Sequence, residues 1–210
     1  MIKKKYCSVS SKLRNSGRKF NLRKEYEKSW NYIKDSKKFL FLVIGIFLAF
    51  VLIGFFVPVP EYFSQKILEF IQEILLKTQG MSNSQLIGFI FFNNIQSSFI
   101  SMIFGIVFGI FPIISTIVNG YLLGFVSNIS VQNAGVFSLW RILPHGIFEL
   151  PAMFVSFALG IRLGFSIFNE KKFDSFRENF ISCLKVFVLI IIPLLILAAI
   201  IEGTLIFLGV

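Results

Sequence analysis

Five long apolar runs constrain this chain more than any other feature of its sequence. They fall at about residues 39–57, 86–111, 112–128, 144–168 and 181–208. A helix needs about 20 apolar residues to cross the hydrocarbon core of a bilayer, which is about 30 Å thick. Because 55% of the 210 residues are hydrophobic, a soluble fold could not cover its apolar surface with polar side chains. The sequence therefore predicts an all-α, polytopic membrane helix bundle with about five transmembrane spans.

The segment before the first run is strongly basic. The net charge of the chain is +10, and 13 of its 21 lysines and arginines precede Phe39. A basic segment beside a first span is typical of a cytoplasmic tail. We therefore expect residues 1–38 to form a cytoplasmic domain with a juxtamembrane amphipathic helix, which binds membrane lipids including anionic headgroups. Residues 39–208 would form the transmembrane domain, and no nucleic-acid partner is expected.

The distribution of charge also predicts an orientation in the cell membrane. With the amino terminus in the cytoplasm, five crossings leave 18 lysines and arginines on the inner side and three on the outer side, Lys66, Lys77 and Arg141. The carboxyl terminus is then expected outside. The third run, 112–128, is short, so the sequence leaves open whether it crosses fully or re-enters.

Residues 61–79 predict an amphipathic helix between the first two spans. Its apolar stripe includes Phe63, Ile67, Phe70 and Ile74, while glutamates and glutamines lie on the opposite side. Such a helix is too polar on one side to span a membrane. We expect it to face outward, either as a partner-binding surface or as a brace on the membrane surface.

Glycine pairs spaced four apart recur in three consecutive runs. They are Gly105 and Gly109, Gly120 and Gly124, and Gly160 and Gly164. Burial alone does not bring helices together in lipid, so close backbone approach at small residues is needed. The spacing predicts helix packing at these six positions in a compact bundle.

Polar side chains also recur in the outer half of four spans. They are Asn93, Asn94, Asn119, His145, Glu149 and Glu202. Such groups are costly in lipid and should face the bundle interior. His145 and Glu149 are four residues apart, share one helix face and can pair. The pattern predicts one buried polar layer, with a structural or a functional role.

Three roles for this layer are open. A catalytic zinc normally takes three protein ligands rich in histidine or cysteine, and the chain has one histidine, so we expect no catalytic residues, metal or other cofactor. Intramembrane carboxylates often mark a proton or ion path, which makes a permease or transporter subunit the alternative function. The interpretation we favour is a polar knot that fixes the bundle of a non-enzymatic scaffold.

Five stretches make the chain similar to a known family. They are "EYEKSWNYIKDSKKF" before the first span, "FFNN" in the second, "NGYLLG" in the third, and "LPHGIFELPA" and "GIRLGF" in the fourth. The chain resembles the stage II sporulation protein M family of integral membrane proteins over nearly its whole length. The family pattern matches at Asn94, Asn119, Gly120, His145, Gly146, Glu149 and Pro151.

The resemblance implies a membrane scaffold rather than an enzyme. The sporulation member recruits proteins that cut peptidoglycan during engulfment of the forespore, and similar proteins occur in hosts that form no spores. We therefore expect protein partners in the membrane or on its outer face, while a homo-oligomer stays open. The partner and the host process do not follow from the resemblance.

Overall fold

The computed structural model describes residues 21–57, 60–141, 143–168 and 172–209. The side chains of residues 141, 143–145, 168 and 172–175 lie outside the described part. The helices are α1 (Leu22–Asp35), α2 (Lys37–Phe56), α3 (Glu61–Thr78), α4 (Asn83–Phe104), α5 (Ile110–Ala134), α6 (Leu143–Phe165), α7 (Lys172–Val186) and α8 (Ile192–Leu208). Short 3-10 helices cover Val136–Arg141 and Ser166–Phe168.

Five helical segments in the described residues are long and apolar enough to cross a membrane. They are α2, α4, α5, α6 and the rod formed by α7 and α8, which a π-helical stretch, Phe187–Ile191, joins without a break. The predicted all-α bundle with five spans is confirmed. The chain is a multi-pass membrane protein.

The hairpin between the second and third spans differs from the expected one. We expected the second span to reach Phe111, but α4 ends at Phe104 and α5 begins at Ile110. Phe108 and Gly109 have φ angles of 52° and 73° in the intervening turn. These left-handed conformations cannot continue a helix, and glycine adopts them at little cost. Gly105 and Gly109 therefore lie at a turn rather than on a helix face.

Two segments expected to be loops are helical instead. The third span was expected to end at Asn128, but α5 continues to Ala134 because its polar residues bond along the helix, with Gln132 Nε2 donating to Asn128 Oδ1 at 2.8 Å. Gly135, with φ 76°, ends it. The segment between the fourth and fifth expected spans, at residues 169–180, is helical from Lys172, because no glycine or proline interrupts the sequence there.

Parallel helices α2 and α5 pack through glycines. A Cβ atom added to Gly120 would lie 2.6 Å from the carbonyl oxygen of Phe47, and one added to Gly124 would clash with the backbone of Val51. Gly54 of α2 makes the reciprocal contact with the backbone of Tyr121. The absence of side chains at these positions lets the two backbones touch, as small residues do in membrane helix pairs.

Helix α6 forms the centre of the bundle. Half of its apolar window is buried, against 17% of that of α2. It packs against α2 and α5 on one flank and against α4 and α8 on the other. Gly160 and Gly164 of α6 contact the backbone of the turn at Gly105–Gly109. In the described residues, α2 and α5 make no substantial contact with α8, so α6 lies between α8 and the first flank, while α4 and α5 meet next to their hairpin.

The bundle has two distinct ends. At the basic end lie α1, the Gly105–Gly109 turn and the start of α7. At the distal end lie α3, the 3-10 helix Val136–Arg141 and the end of α8. Helix α3 connects the distal ends of α2 and α4, and none of its residues is buried.

Candidate functional site

Three contacts align the depths of the helices that hold the predicted polar residues. Ser156 Oγ of α6 donates to the Ser98 carbonyl oxygen of α4 at 2.8 Å. The hydroxyl oxygens of Ser101 in α4 and Ser115 in α5 lie 2.6 Å apart. Gly203 of α8 lies against the backbone of Ile87 in α4. Counting residues from these contacts gives the depth of every other position.

The predicted polar residues lie at successive depths rather than in one layer. By this alignment Glu202 lies level with Gly88, Glu149 lies level with Phe91, and Asn119 lies deepest, level with Ser97. At 1.5 Å of rise per residue, Glu202 and Asn119 are separated by roughly 14 Å along the bundle. The single layer that we expected is therefore stretched into a descending series.

The two neighbouring asparagines of α4 have different environments. Asn93 is exposed, so the expectation that it is buried is wrong, whereas Asn94 is half-buried. Consecutive helix positions point about 100° apart, so only one of the pair can face the bundle. Asn119 Nδ2 donates to the Ser115 carbonyl oxygen at 2.8 Å, which is a bond within its own helix.

Glu149 and Glu202 are both half-buried, and both interact with other residues. The side chain of His145 lies outside the described part, so its pairing with Glu149 stays a prediction. Among the side chains that are described, no three His, Cys, Asp or Glu residues are grouped so that they could hold a metal ion. Pro151 lies on the exposed side of α6.

A second polar cluster, at the basic end, was not expected from the sequence. Arg162 Nη1 of α6 donates to the Ser36 hydroxyl at 2.7 Å and to the Tyr32 carbonyl oxygen at 3.1 Å. The Arg162 guanidinium also lies 3.9 Å from the centre of the Tyr32 ring. The Tyr32 hydroxyl donates to Asn179 Oδ1 of α7 at 2.6 Å and lies 3.8 Å from Cys183 Sγ. We call these five residues the basic-end cluster.

The electrostatics of α1 agree with this attachment. Burial raises the pKa of Tyr32. Lys185 of α7 and Lys28 both donate to the Glu25 carboxylate, and these bonds lower its pKa to about 2. An arginine within an apolar span needs a polar partner, so Arg162 was the signal in the sequence that could have revealed the cluster. Its partners are distant in the chain, and the sequence does not name them.

The apolar stripe of α3 is largely uncovered. Phe63 is 59% exposed and Phe70 is 51% exposed, while Ile67 and Ile74 are partly buried. The polar side carries ion pairs between neighbouring turns of the same helix, which include Lys77 with Glu73. The pKa of Glu73 is lowered by its bond to Lys77. The charged side chains of α3 therefore pair with one another, and most of its apolar side stays uncovered.

Residues 40–205 match the family model for stage II sporulation protein M. The chain belongs to this family. The match includes all five candidate spans in whole or in large part, together with α3. The resemblance seen in the sequence motifs is thus confirmed, although a specific activity does not follow from it.

Two relatives of this family member are uncharacterized proteins of Methanocaldococcus jannaschii. The protein MJ0706 is 31% identical over 189 residues, which cover 83% of this chain and 84% of the relative. The protein MJ0793 is 33% identical over 115 residues, which cover 52% of this chain and 65% of the relative. No solved structure matches the chain significantly.

Proposed function

We propose that the protein is a non-enzymatic membrane scaffold that binds partner proteins at the cell membrane. The observation that carries the proposal is the uncovered stripe of α3, because a long apolar face that the chain itself does not bury marks an interaction surface. Family membership supports the proposal, since the resemblance to the sporulation scaffold implies the same kind of role.

The proposed orientation places the basic end in the cytoplasm and the distal end outside. The excess of lysines and arginines at the basic end supports this orientation. Helix α3 and its stripe would then face the exterior, where a partner acting on the cell envelope would lie.

We also propose that α1 lies against anionic lipid headgroups. The basic-end cluster holds one side of α1 to α6 and α7, and it leaves Tyr26 and Trp30 exposed on another side beside lysines. Aromatic and basic side chains on one helix favour the interface between lipid and water.

Affinity capture from native membranes in mild detergent, followed by mass spectrometry, tests the scaffold. The test variant carries Phe70→Glu and Ile74→Glu in the stripe. The matched control carries Gln65→Glu and Gln72→Glu, which add the same charge on the exposed polar side of the same helix. We expect specific partners with the wild type and the control, and their loss from the stripe variant.

The scaffold proposal fails for α3 if the stripe variant folds, reaches wild-type abundance and captures the same partners. A further comparison with His145→Ala, Glu149→Ala tests whether the polar residues of the bundle support the same binding. Loss of partners from that variant alone would move the binding surface to the start of α6.

The descending polar series favours a second candidate, a permease or transporter subunit. Below Asn119 the series continues with hydrogen-bonded hydroxyls at Ser156, Ser101 and Ser115, so polar groups extend through much of the bundle. Purified protein in sealed vesicles would carry a proton or solute flux if this candidate were correct, and Glu149→Gln would reduce it. No flux in either sample would exclude the candidate for the isolated protein.

A further inference from the structure

The rod formed by α7 and α8 contains an irregular joint. In the π-helical stretch Phe187–Ile191, the N–H of Ile192 donates to the carbonyl oxygen of Phe187, five residues earlier. Pro193 explains this geometry, because a proline has no N–H and its ring would clash with the carbonyl oxygen four residues before it in a regular α-helix. Helices bend mainly at prolines and at π-helical turns. We call Phe187–Ile191 together with Pro193 the joint.

Helix α8, beyond the joint, is fixed by burial. Leu195, Ala198 and Ala199 are buried. Gly203 lies against α4, since a Cβ atom added to it would lie 2.9 Å from the backbone nitrogen of Ile87. Backbones packed this closely leave little room for one helix to shift against the other. Helix α8 is therefore a fixed reference for the rod.

Helix α7, before the joint, is packed less tightly. In the described range Phe176–Lys185, Cys183 is the only buried residue, while Phe180 and Leu184 are partly buried. The Cys183 thiol donates to the carbonyl oxygen of Leu159 in α6 at 3.8 Å, and thiols are weak donors. Direct contact with α6 therefore holds α7 less firmly than burial holds α8.

Two polar contacts attach α1 to α7 just before the joint. The Tyr32 hydroxyl donates to Asn179 Oδ1 at 2.6 Å. Lys185 Nζ donates to the Glu25 carboxylate, and a bond between two charged groups is stronger than a neutral one. Asn179 and Lys185 are six residues apart, so α1 lies across the last two turns of α7.

Apolar contacts extend the attachment to the joint itself. Ile33 of α1 is buried in the same apolar cluster as Val186 and Phe187, and Tyr32 packs against that cluster. Helix α1 also contacts the π-helical stretch in the described residues. Helix α1 therefore covers both the end of α7 and the start of the joint.

The carboxyl end of α1 is attached to the central helix, α6. Arg162 Nη1 donates to the Ser36 hydroxyl at 2.7 Å and to the Tyr32 carbonyl oxygen at 3.1 Å. A cation at this position also interacts favourably with the dipole of α1. Because α6 is the span with the largest buried share in the described residues, α1 connects α7 to a fixed part of the bundle.

We propose that α1 is a strap that holds α7 in line with α8 across the joint. Detachment of α1 removes two polar contacts from α7 and part of the cover of Phe187. Helix α7 then tilts about the joint, while α8 keeps its place against α4 and α6. A few residues between two rigid segments are enough for such a movement. The inference is independent of the scaffold function, because it concerns a movement within one chain.

Distances between spin labels, measured by double electron–electron resonance in lipid nanodiscs, test the strap. The full-length chain carries Cys7→Ser and Cys183→Ala, with labels at Arg177→Cys on α7 and Ile110→Cys at the start of α5, both exposed positions. Arg177 is about 15 Å from the joint, so a tilt of roughly 30° moves its label by about 7 Å. A second pair, Ile110→Cys with Ile196→Cys, reports on α8.

The strap variant carries Glu25→Lys and Tyr32→Ala, which remove both polar contacts of α1 with α7. The matched control carries Glu27→Lys and Tyr26→Ala, the same replacements at exposed positions of the same helix. Hydrogen exchange of Leu22–Asp35 reports whether α1 has detached. In the strap variant we expect faster exchange and a change of several ångströms in the α7 distance. The control and the α8 pair should keep the wild-type distances.

Replacement of the proline tests the position of the bend. Pro193→Ala restores an N–H and removes the ring, so a regular helix can form through the joint. Added to the strap variant, it should restore most of the wild-type α7 distance. The proposal is overturned if α1 stays protected in the strap variant, or if α1 detaches without a change in the α7 distance. It is also overturned if the control changes equally, if α8 moves with α7, or if Pro193→Ala restores nothing.

Discussion

The two ends of the bundle are built in opposite ways. At the basic end, side chains of α6 and α7 hold α1 through the basic-end cluster and the Lys185–Glu25 pair. At the distal end, the ion pairs of α3 join residues of that same helix, its apolar side is largely uncovered, and Val136 and Phe137 are exposed. At the basic end the chain's own residues hold α1 in place, whereas at the distal end apolar side chains stay exposed and are available for binding.

The largest expected effect comes from a glycine at the basic end. Gly164→Leu would drive a side chain into the backbone of Gly105 and Gly109, and we expect it to destabilise the protein by more than about 3 kcal/mol. Gly88 lies in the distal half of α4, and no atom lies near the position of an added Cβ. Gly88→Leu should therefore be tolerated. Thermal unfolding in detergent measures both. An equal loss of thermal stability in the two variants would mean that the two ends are packed alike.

Arg162→Gln should release α1 from the bundle. The variant loses a charged donor to the Ser36 hydroxyl and the Tyr32 carbonyl oxygen, and charged hydrogen bonds contribute about 1.5–3 kcal/mol. Hydrogen exchange of Leu22–Asp35 should accelerate, while that of α3 stays unchanged. Arg162→Lys should restore part of the protection. Unchanged exchange in α1 would show that the cluster does not fasten it.

The attachment of α1 to the bundle should also weaken at low pH, over the range in which Glu25 is protonated. The pKa of Glu25 is lowered from 4.5 to about 2 by Lys185 and Lys28, so its contribution is present above pH 4.5 and is lost as the pH falls toward 2. The protection factor of the α1 amides, which is the exchange rate corrected for the intrinsic pH dependence of amide exchange, should be constant from pH 7 to pH 5 and then fall. Glu25→Gln should remove that step. A transition between pH 7 and 5 would contradict this assignment.

The smallest effect on stability is expected in the stripe of α3. Phe63→Ala and Phe70→Ala remove side chains that are more than half exposed, so unfolding should change by no more than about 0.5 kcal/mol. Denaturation in detergent measures the free energy of unfolding of both variants. A loss as large as that of Arg162→Gln would show that the bundle covers the stripe after all.

The sequence predicts the spans well because their signal is local. Each span is a long apolar run, and its length is set by the bilayer. Helix α3 was predicted for the same reason, since its stripe repeats with the period of a helix. The ends of the spans were predicted less accurately. The hairpin turn depends on left-handed backbone at Phe108 and Gly109, and α5 is extended by side-chain hydrogen bonds.

The polar residues were harder to place, because depth depends on how the helices slide against each other. Glu202 and Asn119 are both near the middle or outer half of their runs, and only contacts such as Gly203 to Ile87 and Ser101 to Ser115 show the distance between them. The basic-end cluster unites residues more than a hundred positions apart in the chain. No local sequence pattern predicts contacts between residues so far apart in the chain.

The unbroken rod of α7 and α8 has a mechanical consequence. Its 37 residues, Lys172 to Leu208, extend for about 55 Å, well beyond the thickness of a bilayer. Helix α7 is joined to α1 through Asn179 and Lys185, and at the distal end Ile206 and Phe207 of α8 line an open apolar groove beside the end of α3. A displacement of α1 at the basic end therefore has one continuous helix through which to reach the distal end, and the π-helical stretch Phe187–Ile191 and Pro193 are the positions where that helix can bend.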